Sequence, residues 1–133
     1  MIVALAAAAG AVAAVVVSTG RAAPSSPTAF VETWIDAWNA RDAQAVSAMT
    51  CDERPAYVPA GIIETYLRQV PADAQVVADH RITGQEPGVA YDWEAVRVHV
   101  IYLPWARDAL RETSIYVRVR DDGDMCIGAF TTW

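Results

Sequence analysis

Lysine is absent from this chain of 133 residues, and all ten basic residues are arginine. The 16 acidic residues outnumber them, which gives a formal net charge of −6. Because non-specific affinity for nucleic acid comes from clustered cations, this charge argues against a nucleic-acid partner. The acidic residues are scattered along the chain and form no block long enough to be a solvated tail.

The sequence also lacks the short motifs that carry common chemistry. It contains no glycine-rich phosphate loop, no serine in a nucleophile elbow and no pair of histidines at metal-ligand spacing. The three aspartates within Asp121–Asp124 lack the further ligands of a calcium loop, and Asp-Gly there is typical of a hairpin turn. We therefore expect neither a cofactor nor a metal ion.

Charge is missing from the first 20 residues, and the run from Ile2 to Val17 is continuously apolar or small. In a helix about 20 residues span roughly 30 Å, the thickness of a bilayer's hydrocarbon core. The length favours a retained transmembrane anchor, while small residues around Gly20 and Ala22 also permit cleavage as a signal segment. Residues 21–27 then form a short linker. We expect the remainder on the extracytoplasmic side of the cell membrane, or secreted if the segment is cleaved.

Only two cysteines are present, Cys51 and Cys126. In a chain directed to an oxidising compartment, an even number of cysteines most simply indicates a disulfide bond. The alternatives are two buried free thiols, or a zinc site completed by His80 and His99. Zinc is disfavoured because these four residues are not arranged in closely spaced pairs.

The stretch from Thr28 to Cys51 predicts two short amphipathic helices joined by a tight corner, Asn39-Ala-Arg-Asp42. Ser26 is the expected N-cap of the first helix, Pro27 suits its first position, and Asp42 is the expected N-cap of the second. Apolar residues recur at helical spacing along both helices. In the first these are Phe30, Val31, Trp34, Ile35 and Trp38, and in the second Ala43, Val46 and Met49.

A third predicted helix begins at Pro59, covers residues 61–69 and is stopped by Pro71. After it, the spacing of the apolar residues changes. From there β-branched residues alternate with polar ones, which is typical of strands. The predicted strands are Gln75–Gly84, Ala90–Leu103, Thr113–Arg120 and a last one from Met125, with turns at Gly84–Gly88 and Asp121–Asp124. The fold class predicted is therefore α+β, with an N-terminal membrane helix followed by three helices packed on a curved four-stranded antiparallel sheet.

The segment FVETWIDAWNARDAQAVSAM resembles the opening of the nuclear-transport-factor-2-like superfamily, in which a first helix ends in an Asn-x-x-Asp corner before a short second helix. The resemblance covers residues 28–133 in layout, and small exported actinobacterial proteins carry domains of this kind. It implies a curved sheet wrapped around helices, with a conical cavity between them. Members include isomerases and cyclases acting on ketosteroids or polyketides, and many non-enzymatic binding or assembly domains. The fold alone therefore does not decide the function.

Enzymes of this superfamily use an Asp or His base, with Tyr or protonated Asp donors, inside an apolar cavity. The weak catalytic candidates here are His80, Asp92 and Tyr66. His80 shares a strand face with apolar residues and is better placed for a cavity than His99, which we expect to be solvated. Even so, the interpretation we favour for His80 is a histidine at the edge of the core, satisfied by one hydrogen bond.

Trp34, Trp38 and Trp93 are candidates, together with His80, for lining a ligand cavity. Tryptophans at helical spacing are more often part of a plain hydrophobic core, which is the interpretation we favour for the first two.

The sequence thus predicts a small exported, membrane-anchored domain with a non-enzymatic binding or assembly role at the cell envelope. Its partners would be the membrane, through residues 1–20, and an envelope protein or an apolar ligand. An isomerase- or cyclase-like enzyme acting on an apolar small molecule is the alternative, and a homodimeric structural domain is a third interpretation.

Overall fold

The computed structural model describes residues 25–131 and 133. The predicted membrane segment, residues 1–20, and most of the predicted linker lie outside the described residues. Within the described part of the chain, no helix has both the length and the apolar character needed to cross a bilayer.

The described chain is an α+β domain of three helices followed by four strands, as the sequence predicts. The strands form one antiparallel sheet in sequence order, each joined to the next by a hairpin or a longer connection. The helices are α1, Pro27–Asn39; α2, Ala43–Met49; and α3, Ala60–Leu67. The strands are β1, Val77–Ala90; β2, Trp93–Pro104; β3, Arg111–Val119; and β4, Met125–Ala129.

The beginnings of α1 and α2 are set by their predicted caps. The Ser26 side chain accepts a hydrogen bond from the backbone N–H of Ala29 at 3.1 Å, and Pro27 fills the first helical position. The Asp42 side chain likewise accepts from the N–H of Ala45 at 3.0 Å. Each cap satisfies one of the backbone donors that a helix leaves free at its start.

The corner between α1 and α2 anchors the helices to the sheet. The Asn39 side-chain amide donates to the carbonyl of Val77 and accepts from its N–H, both at 2.9 Å. Arg41 has a φ of 58°, and its guanidinium donates to backbone carbonyls of the segment that leads from α3 into β1, including those of Val70 and Ala74. The Asn-x-x-Asp pattern therefore has a structural reason: it fixes where β1 begins.

Replacing Asn39 with alanine is expected to lower the free energy of unfolding by about 2 kcal/mol, because the buried backbone groups of Val77 lose both partners. Urea unfolding followed by circular dichroism measures this difference. Gln44→Ala, at an exposed position of α2, is the matched control and should change stability by no more than about 0.5 kcal/mol. Equal stability of the two variants would contradict this role of Asn39.

The predicted turn at Gly84–Gly88 is wrong, because β1 continues to Ala90 and the chain turns at Tyr91 and Asp92. Proline is tolerated here because β1 is an edge strand, which has a neighbouring strand on one side only. A residue that lacks an N–H on the open side leaves no carbonyl of another strand unpaired. A side chain at Gly88 would also meet its neighbours, since a Cβ built there lies 3.1 Å from that of Arg97. Glycine and proline, which usually indicate a turn, here lie within a strand at the edge of the sheet.

The core lies between the helices and one face of the sheet, called here the inner face. Alternate residues of each strand point to this face, as the period of two requires. The fully buried side chains include Trp34, Trp38, Ile35, Ile63, Val98, Val100, Ile115 and Ile127. His99 lies on the opposite, outer face, where its side chain is partly exposed.

The predicted disulfide between Cys51 and Cys126 is confirmed, and the two residues are 75 positions apart in the chain. Thr50 pairs with Ile127 at the edge of β4, and the N–H of Cys51 donates to the Ile127 carbonyl at 2.9 Å. From there the chain passes to the outer face, where the disulfide packs with Ala56. The bond therefore ties the end of the helical hairpin to the last strand.

Candidate functional site

The three weak catalytic candidates lie in separate places. The His80 ring on β1 contacts Glu32 of α1, with Nε2 and Oε1 2.6 Å apart. Asp92 is exposed in the turn between β1 and β2, at one end of β2, whereas Tyr66 of α3 packs near the other end of that strand. No acid and base pair is assembled from them, because elements on different sides of the domain carry them.

Trp34 and Trp38 lie in the hydrophobic core, with 0% and 1% of their surfaces exposed. The Trp34 ring centroid is 5.8 Å from that of Trp38 and 4.7 Å from that of Phe130, both in edge-to-face geometry. Among the buried residues of the described chain only Ser47 and Thr50 are classed as polar, and none is Asp, Glu, His, Lys or Arg. The interior therefore holds aromatic and aliphatic side chains without an ionised group.

Trp93 lies on the outer face beside the disulfide. The guanidinium of Arg118 stacks 4.4 Å above the Trp93 ring and pairs with Glu53 at 2.7 Å, which also pairs with Arg120 at 2.7 Å. Trp93 and Asp92 line a groove of about 670 Å³ at this end of the sheet. The two arginines are thus occupied by the chain's own carboxylates, and they fix the Cys51–Tyr57 segment on the sheet.

A second depression, the aromatic cleft, opens between α3, the ends of β2 and β3 and the segment after β4. It has a volume of about 570 Å³. Its walls include the rings of Tyr66, Tyr102, Trp105 and Trp133, and Arg107, Arg111 and Glu112 also line it. Trp105, Trp133 and both arginines are absent from the candidates chosen from the sequence, because they come from three separate segments and no local spacing links them.

The walls of the aromatic cleft are held by hydrogen bonds. The Trp105 indole N–H donates to the Tyr66 hydroxyl at 3.0 Å, and that hydroxyl donates to the Trp133 carbonyl at 2.8 Å. Burial raises the pKa of the Tyr66 phenol above 10.0, an effect that the Trp105 donor opposes. Burial also raises the pKa of Tyr102, against the nearby charge of Arg111. Both phenols therefore stay protonated at neutral pH and serve as hydrogen-bonding groups, not as bases.

A polar network on the outer face links three strands through His99, which we expected to be solvated, and through Glu86, Arg97 and Ser114, which were not candidates. Glu86 contacts Nε2 of His99 at 2.9 Å, Nδ1 of His99 is 3.4 Å from the Ser114 hydroxyl, and Arg97 donates to that hydroxyl at 3.0 Å. The order Ser114, His99 and Glu86 resembles the nucleophile, base and orienting carboxylate of a catalytic triad. The serine-to-histidine distance is long and the Glu86 side chain is half-exposed, so we interpret the network as a ladder that joins β1, β2 and β3.

Within residues 25–131 and 133, no three His, Cys, Asp or Glu side chains are grouped so that they could hold a metal ion. Comparison of the chain with protein-family models, with curated proteins and with solved structures finds no match in any of the three. Proposals on function therefore rest on the residues and their arrangement.

Proposed function

We propose that this chain is an exported, membrane-anchored binding or assembly domain of the cell envelope, of nuclear-transport-factor-2-like type, which does not catalyse a reaction. The observation that carries the proposal is the interior without ionised groups. A cavity enzyme of the isomerase or cyclase type needs a poised base close to its substrate in a water-excluding site. Here that space is taken by Trp34, Trp38 and aliphatic side chains.

Two features support an extracytoplasmic location. The uncharged, apolar run of the first 20 residues is long enough to anchor the chain in a membrane. The disulfide between Cys51 and Cys126 is compatible with an oxidising compartment, where such bonds form and persist.

The absence of catalysis is tested with the full-length chain and a β,γ-unsaturated ketone, whose conversion to the conjugated ketone is followed by ultraviolet absorbance. We expect the rate in the presence of protein to equal the rate in buffer. His80→Ala, Asp92→Ala and Tyr66→Phe should give the same rate. A saturable turnover that one of these substitutions abolishes would establish the isomerase alternative and refute the proposal.

The location is tested by expressing the full-length chain in bacteria beside a matched chain that lacks residues 1–20. We expect the full-length chain to sediment with membranes, to be digested by protease added to spheroplasts, and to resist thiol alkylation at its two cysteines. The shorter chain should remain in the cytoplasm. A full-length chain found soluble in the cytoplasm with both thiols free would contradict the proposed location.

A further inference from the structure

We propose that the aromatic cleft binds an apolar carboxylate, a small molecule with a ring or chain body and a single anionic head group. This inference rests on the proposed function as a binding domain and names its site and ligand class. Three features of the aromatic cleft lead to it: its fixed aromatic walls, two arginines without ion pairs, and unpaired indole N–H groups behind it.

The walls suit an apolar body because they are formed by rings whose positions are fixed before a ligand arrives. Tyr102 and Trp133 pack edge to face with centroids 5.0 Å apart, and Tyr66 holds Trp105 and the Trp133 backbone through its hydroxyl. Side chains already fixed in this way lose little conformational entropy on binding. The volume of about 570 Å³ lies within the usual range for small-molecule pockets, about 300 to 1,000 Å³.

The two arginines of the aromatic cleft suit an anionic head group. The side chains of Arg107 and Arg111 make no ion pair or hydrogen bond within the described part of the chain, although the protein as a whole is acidic. Arg111 lies directly opposite Tyr102 in the pairing of β3 with β2, so both side chains point to the cleft side of the sheet. Glu112 also lines the aromatic cleft but makes no ion pair with either arginine, so two guanidinium groups face one carboxylate there.

Unpaired hydrogen-bond donors lie behind the aromatic cleft. The indole nitrogens of Trp34, Trp38 and Trp133 are buried without a hydrogen-bond partner in the described structure. Trp133 belongs to both regions, because it lines the aromatic cleft while its ring lies 5.7 Å from that of Trp34. Buried donors are normally paired, so the Trp133 N–H, which has almost no exposed surface, would gain an acceptor if a ligand oxygen displaced the atoms that cover it.

Isothermal titration of the purified full-length chain tests the proposal with naphthoate as the ring probe and decanoate as the chain probe. Naphthylmethanol and decanol are the uncharged controls. We expect saturable binding of at least one carboxylate at submillimolar concentration, and binding of the matching alcohol weaker by about tenfold, the usual difference for a charge-assisted hydrogen bond. The carboxylate with the higher affinity shows whether the aromatic cleft prefers a ring or a chain as the apolar part of its ligand.

Substitutions locate the site. Arg107→Gln and Arg111→Gln should each weaken binding of the carboxylate by about threefold to tenfold and leave binding of the alcohol unchanged. Arg81→Gln, an exposed arginine of β1 outside the aromatic cleft, is the matched control and should bind like the unmodified chain. Circular dichroism verifies that each variant is folded.

Absence of saturable binding by either carboxylate would overturn this inference, as would equal affinity for carboxylate and alcohol, or unchanged affinity in both arginine variants. None of these results affects the proposed function, which fails only if turnover or a cytoplasmic location is found.

Discussion

Replacing Trp34 with alanine is expected to lower the free energy of unfolding by about 3 to 5 kcal/mol, the usual range for removing a large aromatic side chain from a core. Trp34 has no exposed surface and contacts the rings of Trp38, Phe130 and Trp133. Its indole nitrogen has no partner among the described residues, so the substitution removes packing without breaking a hydrogen bond. Urea unfolding followed by circular dichroism measures the loss.

Ile62→Ala is the matched control, because Ile62 is a large apolar residue of α3 with 62% of its surface exposed. Its substitution should change stability by less than about 1 kcal/mol. If the Trp34→Ala variant does not fold, Trp34→Phe is measured instead, because it leaves a smaller cavity and should lower stability less. A Trp34→Phe variant as stable as the unmodified chain would show that the packing around this ring contributes little.

Breaking the bond between Cys51 and Cys126 is expected to lower the free energy of unfolding by about 4 kcal/mol, the chain-entropy value for a closed loop of this size. The separation of 75 residues spans most of the domain, from the end of α2 to β4. In the unfolded chain the bond therefore removes much of the conformational freedom that folding would otherwise have to overcome.

The comparison is between the unmodified chain and the Cys51→Ala, Cys126→Ala double variant, each unfolded in urea with and without reductant. We expect reductant to lower the midpoint of the unmodified chain and to leave the double variant unchanged. The two midpoints should coincide once reductant is present. Equal midpoints in the absence of reductant would mean that the bond does not stabilise the fold.

The helical hairpin was predictable from the sequence because its signals are local. Ser26, Pro27 and Asp42 act on backbone groups within one turn of themselves, and the apolar spacing of α1 directly encodes its buried face. The disulfide was predictable from the even number of cysteines together with the expected oxidising compartment. In the same way β3 was predictable from the alternation of apolar and polar residues. The Asp121–Asp124 turn was predictable from its Asp-Gly dipeptide, which favours a positive φ.

The end of β1 and the aromatic cleft were not predictable, for a different reason. Gly84, Pro87 and Gly88 carry the local signals of a turn, and only the position of β1 at the edge of the sheet makes them compatible with a strand. The rings of the aromatic cleft come from α3, from β2, from the connection after β2 and from the segment after β4. Trp105 in particular lies in a connection without regular spacing of apolar residues, so no sequence pattern predicts that it lines a cleft.

The irregular backbone of β1 determines how neighbouring copies of this chain can meet. Its pairing shifts register twice within residues 78–84, Asp79 has a φ of 48°, and Pro87 lacks an N–H. An incoming strand therefore finds no continuous row of donors and acceptors along this edge. Two copies of the chain that met at this edge would therefore not join their sheets. The irregular edge thus disfavours aggregation through addition of a strand to β1.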